Sequence, residues 1–192
     1  MKSKTESPLS FPTQKEWAAW LAKNYKKKEG IWLRFYKKAA GVTSVNHDQA
    51  LDSALCYGWI DGQAKPFDKD SWIQKFTPRR AKSLWSKRNI EHTERLIKTK
   101  KMRVPGMREI ERAKADGRWH AAYESSSKAT IPEDFLARLS KNKKALAFYK
   151  SLNKTNQYSI AWRLQTAVKP ETREKRMKTI LAMMRDEKKF HW

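Results

Sequence analysis

The chain has 192 residues, a formal net charge of +23, 39% hydrophobic residues and nine tryptophans, which excludes a disordered basic tail because so many large apolar side chains need a core. The length allows one domain with a proper core, or one domain plus a small helical appendage. The single cysteine, Cys56, excludes an intrachain disulfide and a thiolate metal site, as is usual in a reducing compartment. No stretch has the apolar run of a signal peptide or the length of a membrane span, so the expectation is a soluble, cytoplasmic protein with no membrane span.

In chain order, residues 1–10 are polar and contain a proline, and are expected to be a flexible tail. Thr13 and Glu16 have capping-box spacing, and Trp17, Trp20, Leu21 and Tyr25 follow on one helical face. Residues 31–37 alternate as a strand, with Ile31, Leu33 and Phe35 facing one way and Trp32, Arg34 and Tyr36 the other. Asn46 or Asp48 caps a second helix, which carries Ala50, Leu51, Ala54 and Leu55 and stops at Gly58. Trp59 to Phe67 and Ser71 to Thr77 form an antiparallel hairpin around Asp68-Lys69-Asp70.

From Arg79 to Arg103 the composition changes to ten basic residues against Glu91 and Glu94, a local net of +8. Beyond it the pattern is helical, with Pro105 at a helix start, Asp116-Gly117 at its stop and a second capping box from Thr130 to Glu133. Amphipathic segments follow around Leu146, Ile160 to Val168, and Met177 to Met184, and residues 124–130, ESSSKAT, are the linker candidate. The expected fold is therefore α+β. A small, mostly antiparallel sheet with packed helices occupies residues 11–123, and a helical region occupies residues 131–192.

Two places could carry chemistry. Asp61, between Ile60 and Gly62, reads as a partly buried carboxylate that requires a cationic or amide partner, with Arg34, Lys75, Arg79 and Arg80 as candidates. The segment FTPRRAKSLWSKRN (76–89) offers the fork-shaped guanidinium groups of Arg79, Arg80 and Arg88, the hydroxyls of Ser83 and Ser86, and Trp85 to stack on a base or cover the loop. A helix starting near Ser83 would add its amides to such an anion site. The competing reading makes Asp61 a structural ion pair and the basic segment a solvated face with one core anchor. Trp17, Trp20, Trp32, Trp59, Trp72 and Trp119 read as core residues rather than a stacking platform. The four histidines lack metal-ligand spacing, no cofactor motif is present, and no nucleophile motif has a matching context. Cys56, among Leu55, Tyr57 and Trp59, reads as a small buried hydrophobe.

The strings CYGWIDG (56–62), FTPRRAKSLWSKRN (76–89), DGRW followed by Tyr123, and ETREKRM (171–177) resemble, in order and spacing, the YdeI/OmpD-associated family, also labelled bacteriocin-protection proteins. The chain departs from that pattern at Ala81 and at Val104-Pro105-Gly106-Met107. The resemblance implies a bacterial stress-protection or binding protein, linked by name to porins and to survival of bacteriocins or antimicrobial peptides, with no catalytic set to carry over. Beside it stand a non-specific nucleic-acid binder and a small-molecule enzyme using Asp61 with Arg79 and Arg80. Common to the first two is an anionic partner: an acidic protein surface, a phosphate ligand or nucleic acid.

Overall fold

Helix α1 (Gln14–Asn24) starts where the Thr13 and Glu16 spacing puts it. Thr13 Oγ1 accepts from the Glu16 amide at 3.3 Å, and the Glu16 carboxylate accepts from the Thr13 amide at 3.1 Å. This computed structural model describes residues 7–125, 128–167 and 169–191; residues 1–6 of the expected tail, two residues of the expected linker, 126 and 127, and Val168 lie outside it. Leu9, placed in the tail by the sequence, is tied down. Its amide donates to the Trp32 carbonyl at 2.9 Å, and its carbonyl accepts from the Arg34 amide at 2.7 Å.

Strand β1 (Ile31–Tyr36) buries Ile31, Leu33 and Phe35, as the alternation requires. Helix α2 (His47–Cys56) is capped by Asn46, whose side chain accepts from the Gln49 amide at 2.9 Å while the Gln49 side chain accepts from the Asn46 amide. Strands β2 (Trp59–Pro66) and β3 (Ser71–Pro78) make the expected hairpin, and the three antiparallel strands lie in the order β1-β3-β2. Asp68 organises the turn: its Oδ1 accepts from the Asp70 amide at 3.0 Å and from the Ser71 hydroxyl at 2.6 Å. Pairing slips by one residue between Asp61 and Ala64, so β2 carries a bulge at Gly62-Gln63.

Trp17, Trp59 and Phe76 form the centre of the core between this sheet and its helices, all 0% exposed. Both of these indoles have a carbonyl partner, Trp17 at Ala50 (3.0 Å) and Trp59 at Tyr25 (2.7 Å), so neither nitrogen is stranded. Trp20 and Trp72 pack partly buried against that core. Trp32, also expected inside, lies half-buried on the opposite face of the sheet with Arg34 and Tyr36. Helices α3 (Lys87–Lys98) and α4 (Val104–Ala115) follow, α4 with proline in its first turn.

By its contacts the chain forms two compact units. The first holds the described residues up to Ser83 together with Asn89–Asp116, and the second holds Leu84–Arg88 and the described residues from Gly117 on. Sequence composition put the division near residues 124–130, whereas the contacts put it at Asp116/Gly117. The second unit is helical, with α5 (Glu133–Leu139), α6 (Lys143–Ser151), α7 (Lys154–Gln165) and α8 (Pro170–Arg185) around Phe135, Ile160, Met177 and Met184. The Thr130 to Glu133 capping box does not form. Ile131 precedes Pro132 and is held away from helical geometry, so α5 starts at Glu133 and the Thr130 carbonyl accepts from Gln165 Nε2 instead. Among the described residues no helix is long and apolar enough to cross a membrane.

Candidate anion-binding cleft

Among the described residues Asp61 meets no arginine or lysine. Its Oδ2 lies 3.2 Å from His47 Nε2 and accepts from Gln74 Nε2 at 2.9 Å. The reason is strand parity. Asp61 pairs with Phe76 on the core side of the sheet, while Arg34 and Lys75 project from the other side. Arg34 is occupied there, with Nη2 2.5 Å from Asp68 Oδ2 and Nε donating to Ser71 Oγ at 2.9 Å. Asp61 thus ties the first turn of α2 to the hairpin, and Gln74 also donates to the Gly62 carbonyl at the bulge.

The basic segment also departs from expectation. Helix α3 begins at Lys87, four residues later than the start read at Ser83, because residues 80–83 close a separate turn. In that turn Ser83 Oγ accepts from the Arg80 amide at 3.0 Å, and the Ser83 amide donates to the Arg80 carbonyl at 2.9 Å. Arg79 is 7% exposed, and its amide donates to the Gly58 carbonyl at 2.9 Å; Arg80 is exposed. Trp85 is 2% exposed, 4.9 Å from Trp119, and so cannot stack on a ligand base; it is the core anchor of the competing reading. Ser86 bridges to Tyr123, and Arg88 is exposed.

The cations that do converge belong to the other end of the basic run. In the first unit a cleft of about 360 Å³ is lined by Lys15 and Ala18 of α1, by Asp52, Ser53 and Cys56 of α2 with Tyr57, by Leu96 of α3, and by Lys100, Lys101 and Arg103 beyond it. That volume lies within the usual range for small-ligand sites. Its acid, Asp52, is already engaged: Arg95 Nη2 donates to both carboxylate oxygens at 2.6 and 2.8 Å, and His92 Nδ1 lies 2.7 Å from Oδ1. Lys15, Lys100, Lys101 and Arg103 are exposed and make no ion pair among the described residues. Lys100 has a left-handed backbone (φ 56°), a conformation costing a non-glycine residue on the order of 1 kcal/mol. The floor is apolar, from Ala18, Leu96 and Cys56.

Cys56 is a buried member of the lining. Burial pushes its thiol up to about 11, with Asp52 adding to the shift and Arg103, Lys101 and Arg95 opposing it. Iodoacetamide should therefore label it slowly at pH 8 in the folded protein and rapidly in urea. The same shift sets a pH dependence. An unfolded thiol ionises near ~8.5, so the stabilisation is fully present below that pH and is lost as pH rises through the folded value. By the top of that window the loss is about 3 kcal/mol. Urea melts between pH 8 and 11 should show a shallower decline for Cys56→Ala than for the parent chain.

Among the described residues no group of three or more His, Cys, Asp or Glu could hold a metal ion. What the geometry defines is an α+β protein with a cationic, apolar-floored cleft in its first unit and a helical second unit. The chain belongs to the family described as a domain of unknown function (DUF8412), whose model matches residues 9–109. Residues 128–187 match the model of a family described as bacteriocin-protection, YdeI or OmpD-associated. The resemblance carried by ETREKRM therefore holds for the helical unit, while CYGWIDG and FTPRRAKSLWSKRN fall inside the first match. Neither the curated proteins nor the solved structures gave a match.

Proposed function

We propose that the chain is a non-catalytic binding protein whose first unit takes an anionic partner at the cleft between α1, α2 and the loop after α3. The observation that carries this reading is the charge arrangement: Lys15, Lys100, Lys101 and Arg103 line a partly apolar cleft whose carboxylate is already neutralised by Arg95. Such a site favours a ligand with an acidic head and an apolar body. No nucleophile with an activating base lines it, and the thiol on its floor stays protonated at neutral pH. Protection against bacteriocins, named in the description of the second domain, would on this reading act through an anionic partner, because a chain of net charge +23 repels a cationic peptide before contact. A single cysteine, with no second one in the chain to pair with, suits work in a reducing compartment such as the cytoplasm.

The test uses an aromatic sulfonate, 8-anilinonaphthalene-1-sulfonate, as the probe at physiological ionic strength. Saturable binding is expected to weaken about tenfold in a Lys100→Ala/Lys101→Ala/Arg103→Ala variant. A charge-matched control, Lys143→Ala/Lys150→Ala/Lys154→Ala in the second unit, should bind as the parent does. Equal losses in both variants would show that net charge alone holds the probe, and the cleft would be rejected as the site.

A further inference from the structure

The face of the sheet turned away from its tryptophan core carries an ordered array that the cleft does not use. On β1 it presents Trp32, Arg34 and Tyr36; opposite them on β3 stand Lys75, Ile73 and Ser71, and Lys65 of β2 stands opposite Ile73. Lys65 Nζ sits 4.6 Å and Lys75 Nζ 5.7 Å from the centre of the Trp32 ring. The Arg34 guanidinium lies 4.5 Å from the Tyr36 ring and 4.8 Å from the Phe67 ring at the head of the hairpin. Trp32, Arg34, Tyr36 and Lys75 are half-buried, Lys65 is exposed, and Phe67 is 47% exposed. The acid that meets the array, Asp68, is engaged by Arg34, by the Asp70 amide and by the Ser71 hydroxyl.

We infer that this face binds single-stranded nucleic acid, with bases stacking on Trp32, Tyr36 and Phe67 and phosphates pairing with Lys65 and Lys75. None of these residues lines the cleft, so the inference stands apart from the proposed function. Rings and cations alternate over the face, which is the combination single strands require: a π-surface for each unstacked base and a charge for the backbone between bases. Trp32 and Tyr36 are four residues apart on one side of β1, roughly 13 Å, a span suited to the two or three bases that sheet faces stack. The lysines now over Trp32 are held by cation–π contacts, solvent-exposed at Lys65 and half-buried at Lys75, which are weaker than a stacked base. A base on the ring would therefore displace them towards the phosphates. A duplex has its bases already stacked and would leave the rings idle, and an acidic polypeptide would use the lysines alone.

The experiment is fluorescence anisotropy on the full chain at physiological ionic strength, with a labelled oligo(dT) 12-mer, a duplex of the same length, and polyglutamate as competitor. The single strand is expected to bind at least tenfold tighter than the duplex. Trp32→Ala should weaken it roughly tenfold and leave duplex binding unchanged. Lys65→Gln/Lys75→Gln should reduce the slope of log K against log salt by about 1.4. Should Trp32→Ala fail to fold, Phe67→Ala, at a hairpin-loop residue 47% exposed, takes its place with an expected loss of three- to fivefold. Equal affinity for strand and duplex, indifference to the ring substitutions, or displacement by polyglutamate at matched charge would each overturn the assignment.

Discussion

Trp59→Ala is expected to cost roughly 3–5 kcal/mol in urea melts, the range for truncating a fully buried aromatic. Trp59 is 0% exposed and meets Trp17 and Trp20 edge-on at 6.5 and 5.9 Å. Its indole donates to the Tyr25 carbonyl just beyond the end of α1 at 2.7 Å. Removing the ring opens a cavity between β2 and α1 and also strands that carbonyl. Trp59→Phe refills most of the space and should recover more than half of the loss, the remainder being the missing hydrogen bond. A cost under about 1 kcal/mol for the alanine variant would contradict the packing of the hairpin on α1.

Gly106→Ala should be nearly as damaging, about 3 kcal/mol or more, although alanine is the better helix former. A Cβ at Gly106 would lie 2.5 Å from the carbonyl oxygens of both Leu55 and Cys56 and 2.6 Å from Met102 Sδ. The sulfur can move aside, but the two carbonyls are the end of α2 and cannot, so α4 would have to withdraw. Gly41→Ala is the comparison: its backbone is left-handed (φ 65°), but a Cβ there meets nothing within 4 Å, so only conformational strain of about 1 kcal/mol is at stake. Melts of the two variants should differ by at least about 2 kcal/mol. A similar cost for both would mean that α4 does not sit on the end of α2. Because Cys56 and Arg103 flank this contact and line the cleft, Gly106→Ala should also weaken the sulfonate probe.

Local signals in the sequence carried most of the fold. The caps at Thr13 and Asn46, the alternation of β1 and the proline start of α4 each depend on residues within one or two turns, and each formed as read. The Thr130 cap failed on an equally local signal that pointed the other way, Pro132 two residues on. Asp61 was harder. Its side of the sheet depends on the hairpin register, and the bulge at Gly62-Gln63 shifts parity there, with Gly62 as its one local signal. The cleft was half legible. The run ending in Lys100, Lys101 and Arg103 stood out as charge, but nothing in spacing brings Lys15 of α1 to it, because that depends on how helices pack. Trp85 shows the limit of composition: a tryptophan inside a basic string looks the same whether it faces a ligand or, as here, Trp119.

The short pairing of Leu9 beside β1 has a consequence for how this sheet can meet other chains. An outer strand with unpaired backbone groups is a template on which a foreign strand can add, and aggregation often begins there. Here the Leu9 segment already fills part of that line on β1 by bonding Trp32 and Arg34. On the far side, β2 is interrupted by its bulge, carries Lys65 and ends in Pro66, all features that discourage docking along a strand. An extended peptide would find no continuous ladder to extend on either flank, so partners of the first unit are directed to side chains rather than to backbone.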